Sequence, residues 1–213
     1  MTMITNTQAN AMGIINHASG VIVTDATAAS AESITLGFEP RVVRFHNITD
    51  RISDEWYIGL LEADLQEKLR GINAKLDADA GVTDTNFAAL WDPASSALDV
   101  IADSIRGITA KLDADAGVTD TNYAALWNPT LETQVALRAA IVGIVAKLDA
   151  DGGVTDTNYA ALWTPAALIS LHTVAAGTRT RDVTNGISVS GNVISLTATT
   201  MVASKTFVWE AEG

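Results

Sequence analysis

The chain contains no cysteine. Disulfides, thiolate metal sites and cysteine nucleophiles are therefore excluded. It has no run of about 18 apolar residues, so no membrane-spanning helix is expected. The N-terminus lacks the basic start, apolar core and small-residue cleavage site of a secretory leader. Positive charge is scarce, with 13 Lys and Arg against 25 Asp and Glu, a net of −12. The deficit is concentrated in the middle. Asp54 to Pro165 holds 18 acidic and 7 basic residues, whereas the flanks are near neutral and carry Arg41, Arg44, Arg51, Arg179 and Arg181. An acidic body repels phosphate backbones, so direct nucleic-acid binding is not expected. Only 18% of residues are charged and 48% are apolar, which suggests apolar surface hidden between subunits.

What the chain does have is one segment repeated three times. It reads AKLDADAGVTDTNFAALWDP at Ala74–Pro93, AKLDADAGVTDTNYAALWNP at Ala110–Pro129 and AKLDADGGVTDTNYAALWTP at Ala146–Pro165, at a spacing of 36 residues. Self-similarity at a fixed period marks a repeat architecture. Ahead of each copy the apolar residues fall 4, 3 and 4 apart: Leu65, Leu69, Ile72, Leu76; Ile101, Ile105, Ile108, Leu112; Leu137, Ile141, Ile144, Leu148. That is an a/d seam, which packs helix on helix. Pro93 and Pro129 sit where a helix would begin. Gly81, Gly117 and Gly153 suit left-handed C-caps. The run T-D-T-N-[FY]-A-A-L-W then predicts a short helix with Thr or Asp at its N-cap. Near-identical copies want near-identical surroundings. A stacked array, three helices about a pseudo-threefold axis, or pairing with copies in other subunits would each supply them.

The flanks read differently. Residues 1–20 are expected to form a loose N-terminal arm. In RVVRFHNIT, Val43, Phe45 and Asn47 share one face while Val42, Arg44 and His46 share the other, which is strand patterning. Ile52–Ile58 is a second strand or the entry to the helices. After the repeats come a strand, turn and strand around Gly177, turn signals at Asn185-Gly186 and Ser190-Gly191-Asn192, and β-rich runs at Ile187–Val189, Val193–Thr197 and Thr206–Trp209. The N-terminal strands are too few to close a sheet alone. The expected fold is therefore α+β: an antiparallel sandwich or barrel from residues 21–58 and 168–213, with residues 59–167 an inserted helical block of three 36-residue repeats.

The acidic signature D-A-D-[AG]-G-V-T-D invites calcium at Asp77, Asp79, Asp113, Asp115, Asp149 and Asp151. An EF-hand wants glycine sixth and glutamate twelfth, whereas here glycine is fifth and Ala88 twelfth, so the pattern fails. The plainer expectation is that two aspartates solvate each helix end and the third (Asp84, Asp120, Asp156) caps the next helix. His17, His46 and His172 lie far apart in sequence. His46 and His172 would approach if the flanks co-fold, with no carboxylate or serine arrangement expected around them. No Ser-His-Asp order, phosphate-binding glycine loop or metal-ligand spacing stands out, so no catalytic residue and no cofactor are assigned. The ladder Phe87/Leu90/Trp91, Tyr123/Leu126/Trp127 and Tyr159/Leu162/Trp163 reads as a patch pinning each short segment onto its own helix, with a glycan-stacking surface as the alternative.

Two parts of the sequence are familiar. The repeat AKLDADAGVTDTNYAALWNP resembles segments of tailed-bacteriophage structural proteins, including head fibre proteins. TLGFEPRVVRFHNITDRISDEWYIG and SLHTVAAGTRT…SKTFVWEAEG look like small β-rich phage virion proteins, in which the tryptophan strand runs almost directly into the SLxTVAAGTRT segment; here Leu60–Ile169 intervenes. Met1–Asn6 resembles the start of beta-galactosidase and of vector-derived leaders, and is set aside. The phage resemblance implies a non-enzymatic capsid-decorating (head fibre or cement) protein at the virion surface. It would be a homo-oligomer, commonly a trimer, partnered by the major capsid protein or other virion proteins, with Arg41, Arg44, Arg179 and Arg181 as docking candidates. The alternative is a tail-associated fibre or adhesin that binds a host glycan.

Overall fold

The computed structural model describes residues 2–9, 16–27 and 29–213, with residues 2–9 described by backbone alone. The chain divides into two compact units, Met1–Leu60 with Ala166–Gly213, and Leu61–Pro165. The fold is α+β with antiparallel sheets.

The first unit holds strands β1 (Thr2–Ala9), β2 (His17–Val23), β3 (Glu32–Thr35), β4 (Val42–Asn47), β5 (Ile52–Tyr57), β6 (Ser170–Thr173), β7 (Arg179–Asp182), β8 (Ile187–Ser190), β9 (Val193–Leu196) and β10 (Thr206–Glu212). One sheet runs β1-β2-β10-β4-β5-β6-β7 and the other β3-β9-β8. The last strand, β10, pairs with β2 on one side and β4 on the other, so the two ends of the chain share a sheet. Period-2 alternation decides which residues face in. On β4, Val43, Phe45 and Asn47 are buried while Val42, Arg44 and His46 are half-buried on the other face. Phe45 stacks on Phe207 of β10 with ring centroids 5.0 Å apart. Ile34, Ile187, Ile194 and Leu196 of the small sheet join Ile22, Val43, Phe45, Trp56, Phe207 and Trp209 of the large one in a single core.

The loose arm is corrected. Residues 7–9 and 17–20 lie in strands, paired from Ala9↔His17 through Gln8↔Ala18 to Asn6↔Gly20, and Thr2–Asn6, set aside on sequence, belongs to β1. The rest of that expectation, at residues 10–15, lies outside the described residues. β2 escaped notice because two of its inward residues, Ala18 and Gly20, are too small to show hydrophobic alternation.

The second unit is built on three long helices, α1 (Leu60–Ala78), α3 (Leu98–Ala114) and α5 (Gln134–Ala150), each followed by a five-residue helix: α2 (Phe87–Trp91), α4 (Tyr123–Trp127) and α6 (Tyr159–Trp163). All twelve seam residues lie in one core, with Leu65 the most exposed at 2%. Val82, Val118 and Val154 and the rings of Phe87, Tyr123 and Tyr159 complete it. Pro93 and Pro129 do not start helices; the N-caps are Ala97 and Thr133, and the two proline carbonyls accept from Arg70 and Arg106 instead.

Two glycine expectations change as well. Gly81, Gly117 and Gly153 are not left-handed. They are glycine because the copies meet there: a Cβ on Gly81 would stand 1.9 Å from the carbonyl oxygen of Gly153, on Gly117 from that of Gly81, and on Gly153 from that of Gly117. Three contacts, each reaching the next copy, form a closed ring. The tryptophans follow the same rule. Trp91 lies on Gly107 of α3, Trp127 on Gly143 of α5 and Trp163 on Gly71 of α1, so each indole clasps the following copy's helix rather than its own. A glycine inside a helix costs about 1 kcal/mol relative to alanine. Burying most of an indole against it offsets that cost.

Gly117→Ala should therefore destabilise the helical unit by about 3 kcal/mol or more, because the methyl group collides with fixed backbone. Denaturant unfolding followed by helical circular dichroism measures it. An unchanged midpoint would refute the ring contact.

Candidate functional site

The recurring aspartates occupy three different places. Asp77, Asp113 and Asp149, at the ends of the long helices, each accept from two backbone amides of the following short helix: Phe87 and Ala88 at 2.6 and 3.0 Å, Tyr123 and Ala124 at 2.6 and 2.9 Å, Tyr159 and Ala160 at 2.7 and 2.9 Å. They do the capping that was expected of Asp84, Asp120 and Asp156. The N-cap positions themselves are Asn86, Asn122 and Asn158, whose side chains make no cap.

Asp79, Asp115 and Asp151 are buried and reach between copies. Each accepts from its own glycine amide (Gly81, Gly117, Gly153) and from a turn in another copy. Asp115 takes the Thr83 amide and hydroxyl and the Asp84 amide; Asp151 takes the same set from Thr119 and Asp120; Asp79 takes it from Thr155 and Asp156, all at 2.7–3.0 Å. Burial is the largest influence on these carboxyls and acts to raise them, but the summed hydrogen bonds outweigh it. All three end below the ordinary carboxylate value, Asp79 at about 2. Asp84, Asp120 and Asp156 form ion pairs of 2.8 Å with Lys111, Lys147 and Lys75. Those ammonium groups also lie over the rings of Phe87, Tyr123 and Tyr159, 4.8–4.9 Å from the centroids. Every residue proposed for calcium thus has backbone amides on its carboxylate, and among the described residues no group of three or more His, Asp and Glu is placed to hold a metal ion.

The docking arginines are unequal. Arg44 is held on the outer sheet face by Glu210 and Glu212 at 2.8 and 3.1 Å, which raises its pKa further. Arg179 pairs with Glu55. Arg181 also has an interaction partner. Arg41 is exposed and has no ion pair among the described residues.

One arrangement was not anticipated. Asp54 on β5 stands directly opposite His172 on β6, and the carboxylate Oδ1 lies 2.9 Å from the imidazole Nδ1. The pair lines a cavity of about 310 Å³, together with Phe45, Asn47, Asp50, Asp182, Asn185 and Thr200 among others. Burial raises the Asp54 carboxyl, the His172 hydrogen bond opposes that, and the nearby Asp182 charge adds to the rise. The Asp182 carboxyl is lowered: burial acts against this, but the amides of Thr184 and Asn185 and the Thr184 hydroxyl prevail. At the other end Asp50 is bonded by Lys205 at 2.7 Å and Asn47 at 2.9 Å. His46 does not approach His172. It pairs with Ser53 on the outer face, while Asp54 and His172 face inward with Phe45. Asp54 and His172 are 118 residues apart, so the sole sequence signal was the prospect that the flanks co-fold.

Two outcomes follow from the aspartate ring. Carboxyls lowered on folding confer stability that is complete above about pH 4 and lost as pH falls through about 2. Melting of the helical signal should drop across that window, and less steeply in Asp79→Asn; equal slopes would refute the assignment. Tyr123 and Tyr159 donate their hydroxyls to Asp151 and Asp79 at 3.3 and 3.4 Å, but Phe87 leaves Asp115 without this bond. Phe87→Tyr should therefore stabilise the unit by about 1 kcal/mol, read as a rise in Tm.

In comparisons with family models, with curated proteins and with solved structures, the chain matches none of them.

Proposed function

We propose that this chain is an architectural protein, a decoration (head fibre or cement) protein on the capsid of a tailed phage. The β unit would dock on the shell and the acidic helical unit would face the solvent. In the finer reading, the two sheets pack as a sandwich, and Leu61–Pro165 is an insertion of three 36-residue repeats closed about a pseudo-threefold axis. The observation that supports an architectural role is where the repeated polar side chains go. Asp77, Asp79, Asp84 and Lys75, with their counterparts, each bond to another part of the same unit. A motif repeated for its chemistry would keep such groups turned toward a substrate; one repeated for shape uses them to hold itself together.

The ring closes within one chain, and the seams are buried without a second copy. Any homotrimer would therefore be joined through surfaces other than the seams, and Arg41 is an exposed cation of the β unit available to the major capsid protein or another virion protein. The adhesin alternative rested on open indoles. Trp91, Trp127 and Trp163 are half-buried, seated on glycines with their Nε1 atoms buried, which favours the spacer reading.

Cryo-electron microscopy of the particle carrying this chain tests the proposal. The expected result is density for the chain on the outer surface of the head with the β unit against the shell. Absence from the head, or helices against the capsid floor, overturns it.

A further inference from the structure

The seven-stranded sheet packs one face onto the core it shares with the three-stranded sheet and leaves the other face open. Strand register sets which side chains meet on that outer face. Val208 on β10 stands between Val21 on β2 and His46 on β4, Val42 on β4 stands beside Tyr57 on β5, and Leu171 on β6 beside Glu55. Val21, Val42, Tyr57 and Leu171 are half-buried, and Val208 is 36% exposed although its strand is central in the sheet. The charges among the described side chains of this face balance, Arg44, Arg179 and Arg181 against Glu55, Glu210 and Glu212. Arg44 is already held by Glu210 and Glu212, and Arg179 by Glu55, while Arg181 has a partner as well. In a chain of net charge −12, the face is neutral.

Charge and area both select a second copy of this chain as the occupant. A strongly charged partner would gain little from arginines and glutamates that already neutralise one another. Two copies meeting through the repeats would instead bring together segments with 18 acidic and 7 basic residues each, which repel. Six strands about 4.8 Å apart, each exposing about six residues at about 3.3 Å, present roughly 600 Å². Two such faces bury on the order of 1,200 Å², the lower end of what a specific interface needs. We propose that the outer face of the large sheet is a homodimer surface, two copies packing sheet on sheet about a twofold axis with Val208 inside the contact. A twofold axis lets one neutral, apolar-centred face serve both partners. The surface belongs to the β unit alone and stands whether or not the chain decorates a capsid.

The test is sedimentation equilibrium of the full chain over a range of concentrations. The expected species is twice the 22.3 kDa chain, dissociating on dilution. Val208→Lys sets an unpaired ammonium inside the contact and should raise the dissociation constant at least about tenfold, with the circular dichroism of the folded chain unchanged. Val42→Lys, beside Glu212 on the same face, should do the same and serves as the test should Val208→Lys not fold. Leu126→Lys changes an exposed apolar residue of the helical unit and should leave the dimer intact. Added salt should leave association unchanged or strengthen it, because the face is neutral and the rest of the chain repels. A monomer at about 100 μM, a mass other than two copies, or a dimer that Leu126→Lys dissociates while the two face variants do not overturns the proposal.

Discussion

A buried carboxylate that gathers the amides of another copy's turn is the contact on which the helical unit depends. Asp79, Asp115 and Asp151 are each 4–5% exposed, and desolvating them would be prohibitive without the donors that converge on them, four on Asp115 and five on each of the others. The seams bring three helices together but do not fix their register along the axis. The carboxylates do, since each must meet one particular turn, and the glycine-to-carbonyl contacts leave no room for a slip. A ring of this sort also fixes its own number. An open solenoid tolerates the gain or loss of a unit, because each repeat touches only its neighbours. Here the third copy contacts the first, and a fourth would have no place.

The long helices were legible because a/d spacing is local information, and β4 was legible because its large residues alternate. What escaped the sequence was non-local or small. The glycines after the helices looked like C-caps because that is what glycine most often does there; their actual cause is a carbonyl in another copy. Asp77 looked like a helix-end charge because the amides it binds lie ten residues ahead, across a turn. β2 was hidden by its alanine and glycine. The Asp54–His172 pair becomes visible only when β6 is laid beside β5, a neighbour relation that the intervening repeats conceal.

The two units spend polar groups differently. In the helical unit the repeated charges are consumed in closing the ring, and what each short helix leaves exposed is apolar: Leu90, Leu126 and Leu162, at 53–60%. In the β unit two arginines, Arg44 and Arg179, are matched by carboxylates on the outer face.

The central place of β10 sets an order of assembly. Until Thr206–Glu212 leave the ribosome, β2 and β4 have open edges with nothing between them, and such edges invite pairing with other chains. The helical unit is contiguous in sequence and can be complete before then, since domains fold as units during synthesis. The chain thus carries a finished body while its β strands wait, and the seven residues of β10 close the sheet.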